Sequence, residues 1–465
     1  MNIHIKSILS AIAFSLLFYS KSFGLNLFLI SILIVALVST VREERSLSWG
    51  YSIVYITSAI FVFCNPSGFN IFVHFMAFMI FVGKSMSKKS SVYLSWFLGC
   101  SNMLIASISN FSQNEKSEVK KKDLSPQLIN RLKGGLIALV LIFLFGMLYR
   151  NANPVFGDLI NQINLDFISI PWLFFTGLGY IIFLHLLRPF NSEELVATDL
   201  AQKNDLEQPT ELILIAEKKK LAEEHTLGSM VFIALNLLLF FFLATDIIYL
   251  FQQTEISNSR YSQSVHQGVY ALMFSIVCAI VLILYFFRGN LNFFEGNMRI
   301  KSLTYVWIGL NLILVIFTSY KNFMYVEALG LTYKRIGVFV YLLLTLTGLI
   351  TAYIKVAQLK SFVYLARTNI ATVFVFLLIS AAIPWDKTIT WFNLETIENV
   401  DIDYLVNLGD SNSEQLHNFV KKNPANIELQ IQDRISEKHI AFIAEQSEKT
   451  WQEYTLYQIV NTQIQ

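Results

Sequence analysis

About twelve apolar runs divide the first 384 residues of the chain, and each run is 15 to 24 residues long. A helix needs about 20 apolar residues to cross the hydrocarbon core of a bilayer. Within that core only helices and closed barrels satisfy their own backbone polar groups. The runs therefore predict an all-α, polytopic membrane protein. Their predicted bounds are 5–20, 25–41, 50–64, 69–83, 92–108, 134–149, 171–187, 227–250, 268–287, 303–320, 336–354 and 362–383.

Proline positions and composition support this prediction. All 8 prolines lie at the edges of the runs or outside them, and a proline inside a helix removes a backbone donor and clashes with the preceding turn. The chain is 54% apolar and only 15% charged, whereas soluble domains carry about 25% charged residues. This composition excludes a disordered, collagen-like or ordinary soluble chain.

Net charge and cysteine usage exclude several classes of site. The net charge of +2 is too small for a nucleic-acid-binding protein or a polybasic protein of the membrane surface. Cys64, Cys100 and Cys278 each lie inside an apolar run, without Cys-x-x-Cys or Cys/His metal spacing. We therefore predict no metal site, no cofactor and no nucleic-acid partner, with the lipid bilayer as the main surrounding.

The distribution of lysine and arginine predicts the orientation, because cytoplasmic loops carry an excess of both. Loops 109–133 and 188–226 are rich in these residues and are predicted to be cytoplasmic. The C-terminal part then faces outward. The first half conflicts with this pattern, because basic residues near 42–45 and 84–89 also favour the cytoplasm. Either run 92–108 is re-entrant, or one early run is miscounted, or the stronger C-terminal signal overrides the early one, so the number of spans is eleven or twelve.

Two parts are predicted, a transmembrane domain over 1–384 and a soluble helical segment over 385–465. In the latter, Ser411 and Glu414 have the spacing of a capping box, and further helices are expected over 426–446 and 448–463. The segment 385–465 and the charged loop 188–226 are the two expected places for a protein partner.

A few polar residues interrupt the apolar runs, where such residues are costly. Asp246 either reaches the membrane interface or serves as a proton or cation ligand. His74 and His185 are interpreted as packing residues. Asn236 and Asn311 are expected to form hydrogen bonds between helices.

The stretch 319–335 is the richest in polar groups. Gly330 suits the end of one helix and Thr332 the N-cap of the next. Tyr325 and Glu327 stand near this turn, and Arg335 lies in the first turn of the following helix. We expect a Glu327–Arg335 ion pair, because a cation beside a helix N-terminus is unfavourable without a partner.

Two other polar loops, 151–160 and 261–268, follow alternate spans and therefore share a side of the membrane with the turn at 330. Asp246 and the C-terminal segment share that side as well. We predict a functional face there. Its residues are Asp246, Tyr261, His266, Gly268, Tyr325, Glu327, Gly330, Thr332 and Arg335.

Several stretches of the chain resemble a known family. They are RLKGGLIAL with NANPVFGDLI, RYSQSVHQGVYAL, YVEALGLTYKR and WFNLETIENVDIDYLVNLG. Together they are similar to a bacterial family of multi-pass proteins catalogued as a domain of unknown function. The loops of that family are of the Tyr-x-x-x-x-His-Glu-Gly and Glu-Ala-Tyr-Gly-Leu-Thr kind. The resemblance covers roughly residues 130–420 and implies a bacterial inner-membrane protein of the same helical architecture.

The chain departs from the family pattern at two positions. Gln267 stands in place of the acidic residue and Leu329 in place of the aromatic one. If the acidic residue of the family handles protons, this chain lacks that role at position 267. The resemblance carries over no catalytic residue, because the family has no established reaction.

Three function classes follow. The first is a membrane scaffold or sensor that acts through the outward face and the C-terminal segment. The second is a transporter, channel or lipid-handling protein, although the sequence has no internal repeat. The third is a membrane enzyme that uses His266, although HExxH and GxSxG motifs are absent. The scaffold or sensor is the favoured class, and enzymatic activity is the least favoured.

Overall fold

Helices make up the regular structure of the computed structural model in the part of the chain that it describes. That part comprises residues 2–41, 48–116, 169–252, 273–424 and 427–462, with scattered positions between 134 and 153. Within these ranges the only extended pairing is an isolated bridge between Asp205 and Lys360. The predicted all-α class is confirmed.

The helices of the apolar region follow the predicted runs closely. They are α1 (Ile3–Phe18), α2 (Leu25–Val41), α3 (Trp49–Cys64), α4 (Gly68–Met86), α5 (Val92–Lys116), α6 (Ile170–Leu187), α7 (Glu193–Ala201), α8 (Glu211–Gln252), α9 (Met273–Phe286), α10 (Met298–Leu329), α11 (Tyr333–Ala357) and α12 (Phe362–Ala381).

Six of these helices, α4, α6, α8, α10, α11 and α12, are long and apolar enough to cross a bilayer. The apolar parts of α1, α2, α3, α5 and α9 are shorter. The chain is therefore a multi-pass membrane protein. Seven of the 16 residues of the predicted run 134–149 lie outside the described residues, and the choice between eleven and twelve spans stays a prediction.

Two helices extend well beyond the hydrocarbon core. α8 has 42 residues and α10 has 32, which at 1.5 Å per residue correspond to about 63 Å and 48 Å. The core is only about 30 Å thick. The charged start of α8, from Glu211, is therefore part of the same continuous helix as the span.

Residue contacts divide the chain into two units. The first comprises 1–22, 36–41 and 100–191, and in it α1 packs along α6. His4 Nδ1 lies 2.8 Å from the Tyr180 hydroxyl, and Thr176 donates to Ser15 Oγ at 2.8 Å. His185 Nδ1 lies 2.8 Å from the Met103 carbonyl oxygen, so it is a packing residue, as predicted.

The second unit comprises 23–35, 42–99 and 192–465. Its apolar core is formed by helices α8 to α11 around Phe232, Ile283 and Leu349, each with no exposed surface. In the α3–α4 pair, His74 is buried and bonds Ser58 at 3.0 Å, which agrees with its interpretation as a packing residue.

The two asparagines in the spans behave differently. Asn236 of α8 donates to the Leu303 carbonyl of α10 at 3.0 Å, which confirms the predicted bond between helices. Asn311 instead donates to the Trp307 carbonyl of its own helix at 2.8 Å. That prediction was wrong because a carbonyl four residues back lies within reach of the amide.

The described part of 385–462 adds five α-helices to the second unit. They are α13 (Trp385–Thr396), α14 (Ile402–Val406), α15 (Ser413–Lys422), α16 (Leu429–Glu448) and α17 (Leu456–Thr462). Ile389, Leu405, Leu416 and Ile435 form a small buried core. The segment therefore has a core of its own, and its status as a separate domain stays a prediction.

The predicted capping box at Ser411 was wrong. The helix begins only at Ser413, after a 3₁₀ turn over Asp410–Asn412. Buried Asn412 fixes this turn by donating to Thr390 Oγ1 at 2.8 Å and to the Leu405 carbonyl. A capping box forms instead between Thr450 and Glu453, which separates the two last helices.

Candidate functional site

The turn between α10 and α11 has the local structure that the sequence predicted. Gly330 ends α10 with φ +86° and ψ 173°, a backbone conformation that residues with a Cβ rarely adopt. Thr332 caps α11, since its hydroxyl accepts a hydrogen bond from the Arg335 backbone N–H at 3.4 Å. We call residues 329–335 the hairpin turn.

Arg335 is 8% exposed and fixes this hairpin turn. Its Nη1 donates to the carbonyl oxygens of Leu329, at 2.9 Å, and Gly330. Its guanidinium group lies over the ring of Tyr325, 4.1 Å from the centroid. The carbonyls at a helix C-terminus lack helical partners and carry partial negative charge, so they stabilise the guanidinium where a carboxylate was expected.

The expected ion pair between Glu327 and Arg335 is therefore absent. Glu327 is exposed and Arg335 is turned toward the end of α10. The prediction was wrong because it considered side-chain charges alone and omitted the backbone carbonyls of the helix end.

The C-terminal segment binds the hairpin turn through Asn393 of α13. Its side-chain oxygen accepts the Leu331 N–H at 2.6 Å, and its amide donates to the Leu331 carbonyl at 2.9 Å. Leu331 also packs against the core of the segment. Sequence reasoning missed Asn393; the available signal was an amide placed between Phe392 and Leu394 in the stretch WFNLETIENV.

Tyrosines add two further bonds at the same place. The Tyr333 N–H donates to the Tyr404 hydroxyl at 3.0 Å, and the Tyr333 hydroxyl donates to Asp386 at 2.7 Å. Burial raises the pKa of Tyr404, so its hydroxyl stays protonated at neutral pH.

Asp246 is 8% exposed and forms an ion pair with Lys321 of α10. Its second carboxylate oxygen has no hydrogen-bond partner among the described residues. Sequence reasoning did not name Lys321. Its position just past a predicted span, on the side of the membrane where Asp246 lies, was the signal that could have found it.

The predicted face is only partly assembled. Tyr325, Gly330, Thr332 and Arg335 lie together, and Glu327 stands exposed beside them. Asp246 is paired with Lys321, and the next residue, Asn322, donates to the Arg335 carbonyl at 3.1 Å. Three of the predicted residues lie outside the described part of the chain: Tyr261, His266 and Gly268.

A cavity of 1610 Å³ opens beside the hairpin turn. Its walls are the end of α3 with the loop 65–67, the first turns of α11, the last turns of α12, and the C-terminal segment. Thr332 and Arg335 are the predicted residues that line it. The spans and the C-terminal segment together therefore form a concave site.

A second polar cluster lies in the loop predicted to be cytoplasmic. Asp199 of α7 is 6% exposed and accepts hydrogen bonds from the Tyr93 hydroxyl at 2.6 Å and the Ser91 N–H at 2.9 Å. Arg367 forms an ion pair with it. Burial acts to raise the pKa of Asp199, but these donors and the guanidinium together hold that pKa below its usual range.

The described residues contain no cluster of metal-ligating side chains. No three side chains of histidine, cysteine, aspartate or glutamate lie close enough there to hold a metal ion. His417 and His439 form a stacked pair with ring centroids 4.2 Å apart. The pKa of His417 is lowered, mainly by burial and further by the charges of the neighbouring His439 and Lys421.

Comparison with known families identifies the family of the chain. The model of a family described as a domain of unknown function (DUF4153) matches residues 7–419. No curated protein and no solved structure matches the chain.

Proposed function

The chain belongs to the DUF4153 family of domains of unknown function, and on that premise we propose that it is a membrane scaffold or sensor. It acts through its outward face and its C-terminal segment, in the inner membrane of a bacterium. The apolar helices supply the membrane anchoring. The placement in a bacterial inner membrane draws on the loops that resemble the family.

The observation that carries this proposal is the double hydrogen bond between Asn393 and Leu331. It joins the C-terminal segment to the turn between two spans, and that turn is itself held by Arg335. In this proposal, these bonds would carry a shift of α10 against α11 to the segment. Such a rigid connection suits a protein that presents a surface in response to its membrane-embedded part.

The transport alternative draws on the Asp246–Lys321 pair, since ionisable groups within spans often mark ion pathways. This carboxylate, however, already has a lysine as its counter-charge. A neutralised pair between two neighbouring helices also serves to hold those helices together. The scaffold or sensor role is therefore the better supported.

The proposal is tested by separating the segment from the hairpin turn. Asn393→Leu keeps a similar side-chain volume and removes both hydrogen bonds, each worth about 1 kcal/mol net. The docking equilibrium should shift by about 30-fold. We expect this variant to reach the membrane at normal levels and to lose the partner that wild-type protein retains after cross-linking in cells, identified by mass spectrometry.

Asn423→Leu is the matched control. Asn423 lies in the same segment, and among the described residues its side chain bonds only the Phe419 carbonyl of its own helix, so its replacement should leave partner retention unchanged. Equal partner yields for wild type, Asn393→Leu and a chain ending at Pro384 would overturn the scaffold or sensor proposal.

A further inference from the structure

The cavity beside the hairpin turn has two chemically different ends. One end is apolar and is lined by Val340 and Leu344 of α11 and by Val373, Phe376 and Leu377 of α12. The other end is formed by the first turns of α11 and α13 and by the turn at 409–411. Its volume of 1610 Å³ exceeds the roughly 300–1,000 Å³ of pockets for small soluble molecules.

The apolar end reaches into the membrane-spanning helices. Val373 lies eight residues before the end of α12 at Ala381, which is about 12 Å along the helix. Leu344 lies eleven residues after the start of α11, about 16 Å along it. Both helices are long and apolar enough to cross a bilayer, so this end lies at the depth of lipid acyl chains.

The polar end has unpaired positive charge. Lys334 and Lys387 line it, are exposed, and form no ion pair with any residue that the structure describes. Three carboxylates of the lining offset part of this charge, and the hydrogen bond from the neutral Tyr333 hydroxyl does not cancel the charge of Asp386. Asp386 accepts a bond from Tyr333, Asp410 lies 4.0 Å from Lys438, and Glu445 lies 3.2 Å from Lys449.

Two buried polar atoms at this end lack a hydrogen-bond partner. They are Nε of Arg335, whose side chain is more than nine-tenths buried, and Oγ of Ser411. Neither has a partner among the described residues, and both residues line the cavity. Both atoms are shielded from the open cavity in this structure, so ligand binding there depends on the exposed lysines and not on these two atoms.

We propose that this cavity binds one phospholipid with an anionic headgroup. The acyl chains lie against Leu344 and Val373, and the phosphate lies near Lys334 and Lys387. An acidic peptide would leave the apolar end unfilled, and a free phosphate would use only the polar end. The site is independent of the scaffold or sensor role, since lipid can bind whether or not a protein partner does.

The test is native mass spectrometry of the purified full-length protein, titrated with phosphatidylglycerol or phosphatidylcholine in detergent. We expect wild-type protein to retain one lipid and to prefer phosphatidylglycerol. The double variant Lys334→Gln, Lys387→Gln should lose about 30-fold in affinity for phosphatidylglycerol, because each lysine near an anionic headgroup contributes about 1 kcal/mol. Its affinity for phosphatidylcholine should not change.

Lys421→Gln combined with Lys422→Gln is the matched control, since it removes the same charge from exposed lysines that lie outside the cavity. It should bind both lipids as wild type does. Leu344→Trp, which fills the apolar end, should weaken the binding of both lipids.

Three results would overturn the inference: equal affinity of wild type for the two lipids, an unchanged affinity in the cavity lysine variant, or displacement of the lipid by millimolar inorganic phosphate. Because the measurement uses purified protein, its failure leaves the partner experiment on Asn393 unaffected.

Discussion

At the residue scale, the hairpin turn depends on a glycine for two separate reasons. Gly330 has φ +86°, and a Cβ added there would lie 2.6 Å from the Asn393 side-chain oxygen. Any other residue would therefore strain the backbone and displace the amide that binds Leu331. The same position ends α10 and receives the C-terminal segment, so one residue serves both the local and the tertiary structure.

Gly330→Ala should destabilise the protein by about 1–3 kcal/mol, the usual cost of a strained backbone conformation. Gly337→Ala is the matched control in the next helix. Its added Cβ meets no atom within 4 Å, and alanine favours a helix over glycine by about 1 kcal/mol. Thermal unfolding in detergent, followed by circular dichroism, should show a lower midpoint for the first variant only. Equal unfolding midpoints for the two variants would contradict the conclusion that position 330 requires a glycine.

At the element scale, α7 is held by a single buried carboxylate. Asp199 accepts bonds from the start of α5 and pairs with Arg367 of α12. The chain after α7 is also attached to the start of α12, where the Ser361 N–H donates to the Asn204 carbonyl at 2.7 Å. The first part of the charged loop is therefore an ordered strap across helix ends, whereas the sequence predicted only a charged loop.

Asp199→Asn should lower the free energy of local opening of this strap by about 2 kcal/mol, because hydrogen bonds to a charged group are worth about 1.5–3 kcal/mol. Amide hydrogen exchange over 193–206 should rise by about 30-fold. Asp205→Asn is the control. Its pair with Lys360 is at the surface, and such pairs contribute about 0–1 kcal/mol. Equal exchange in the two variants would contradict this role of Asp199.

The same carboxylate predicts a pH dependence. Its pKa is lower in the folded protein than in the unfolded chain, where aspartate titrates near 3.9. The stabilisation is therefore complete above about pH 4–5 and is lost as the pH falls through the lower folded value. Exchange in wild type, corrected for intrinsic rates, should rise only below about pH 4, and in Asp199→Asn this step should be absent. A transition near pH 6 would exclude Asp199 as its source.

At the scale of the whole molecule, the proposed scaffold or sensor role depends on the side of the membrane that the C-terminal segment faces. Five apolar helices, α8 to α12, separate the loop after α6 from the C-terminal segment. If each crosses the membrane once, the two soluble parts lie on opposite sides. The excess of basic residues in 188–226 then predicts an outward C-terminal segment.

Cysteine labelling tests this orientation. In a variant with the three native cysteines replaced by alanine, we introduce either Gln208→Cys or Glu448→Cys, both exposed positions. A membrane-impermeant maleimide applied to intact cells should label the second and should label the first only after permeabilisation. The reverse pattern would invert the topology.

The sequence predicted most of the architecture and only part of the site. Helix positions followed from apolar runs, and Gly330 and Thr332 followed from their residue types. The sequence marked Asn393 and Lys321 as polar residues in suggestive positions, but it did not show that they contact Leu331 and Asp246, because a bond between distant positions has no local signature. The Glu327–Arg335 pair was predicted from charge alone, and the backbone carbonyls of α10 replaced it.

What the sequence by itself determined is therefore the membrane class, the helices and the turn at residue 330. These depend on the cost of placing polar groups in hydrocarbon and on the conformational range of single residues, both of which can be read locally. Only the tertiary structure decided that the C-terminal segment closes a cavity over the ends of α11 and α12. Packing between distant segments places those surfaces together, and no single stretch of sequence encodes that arrangement.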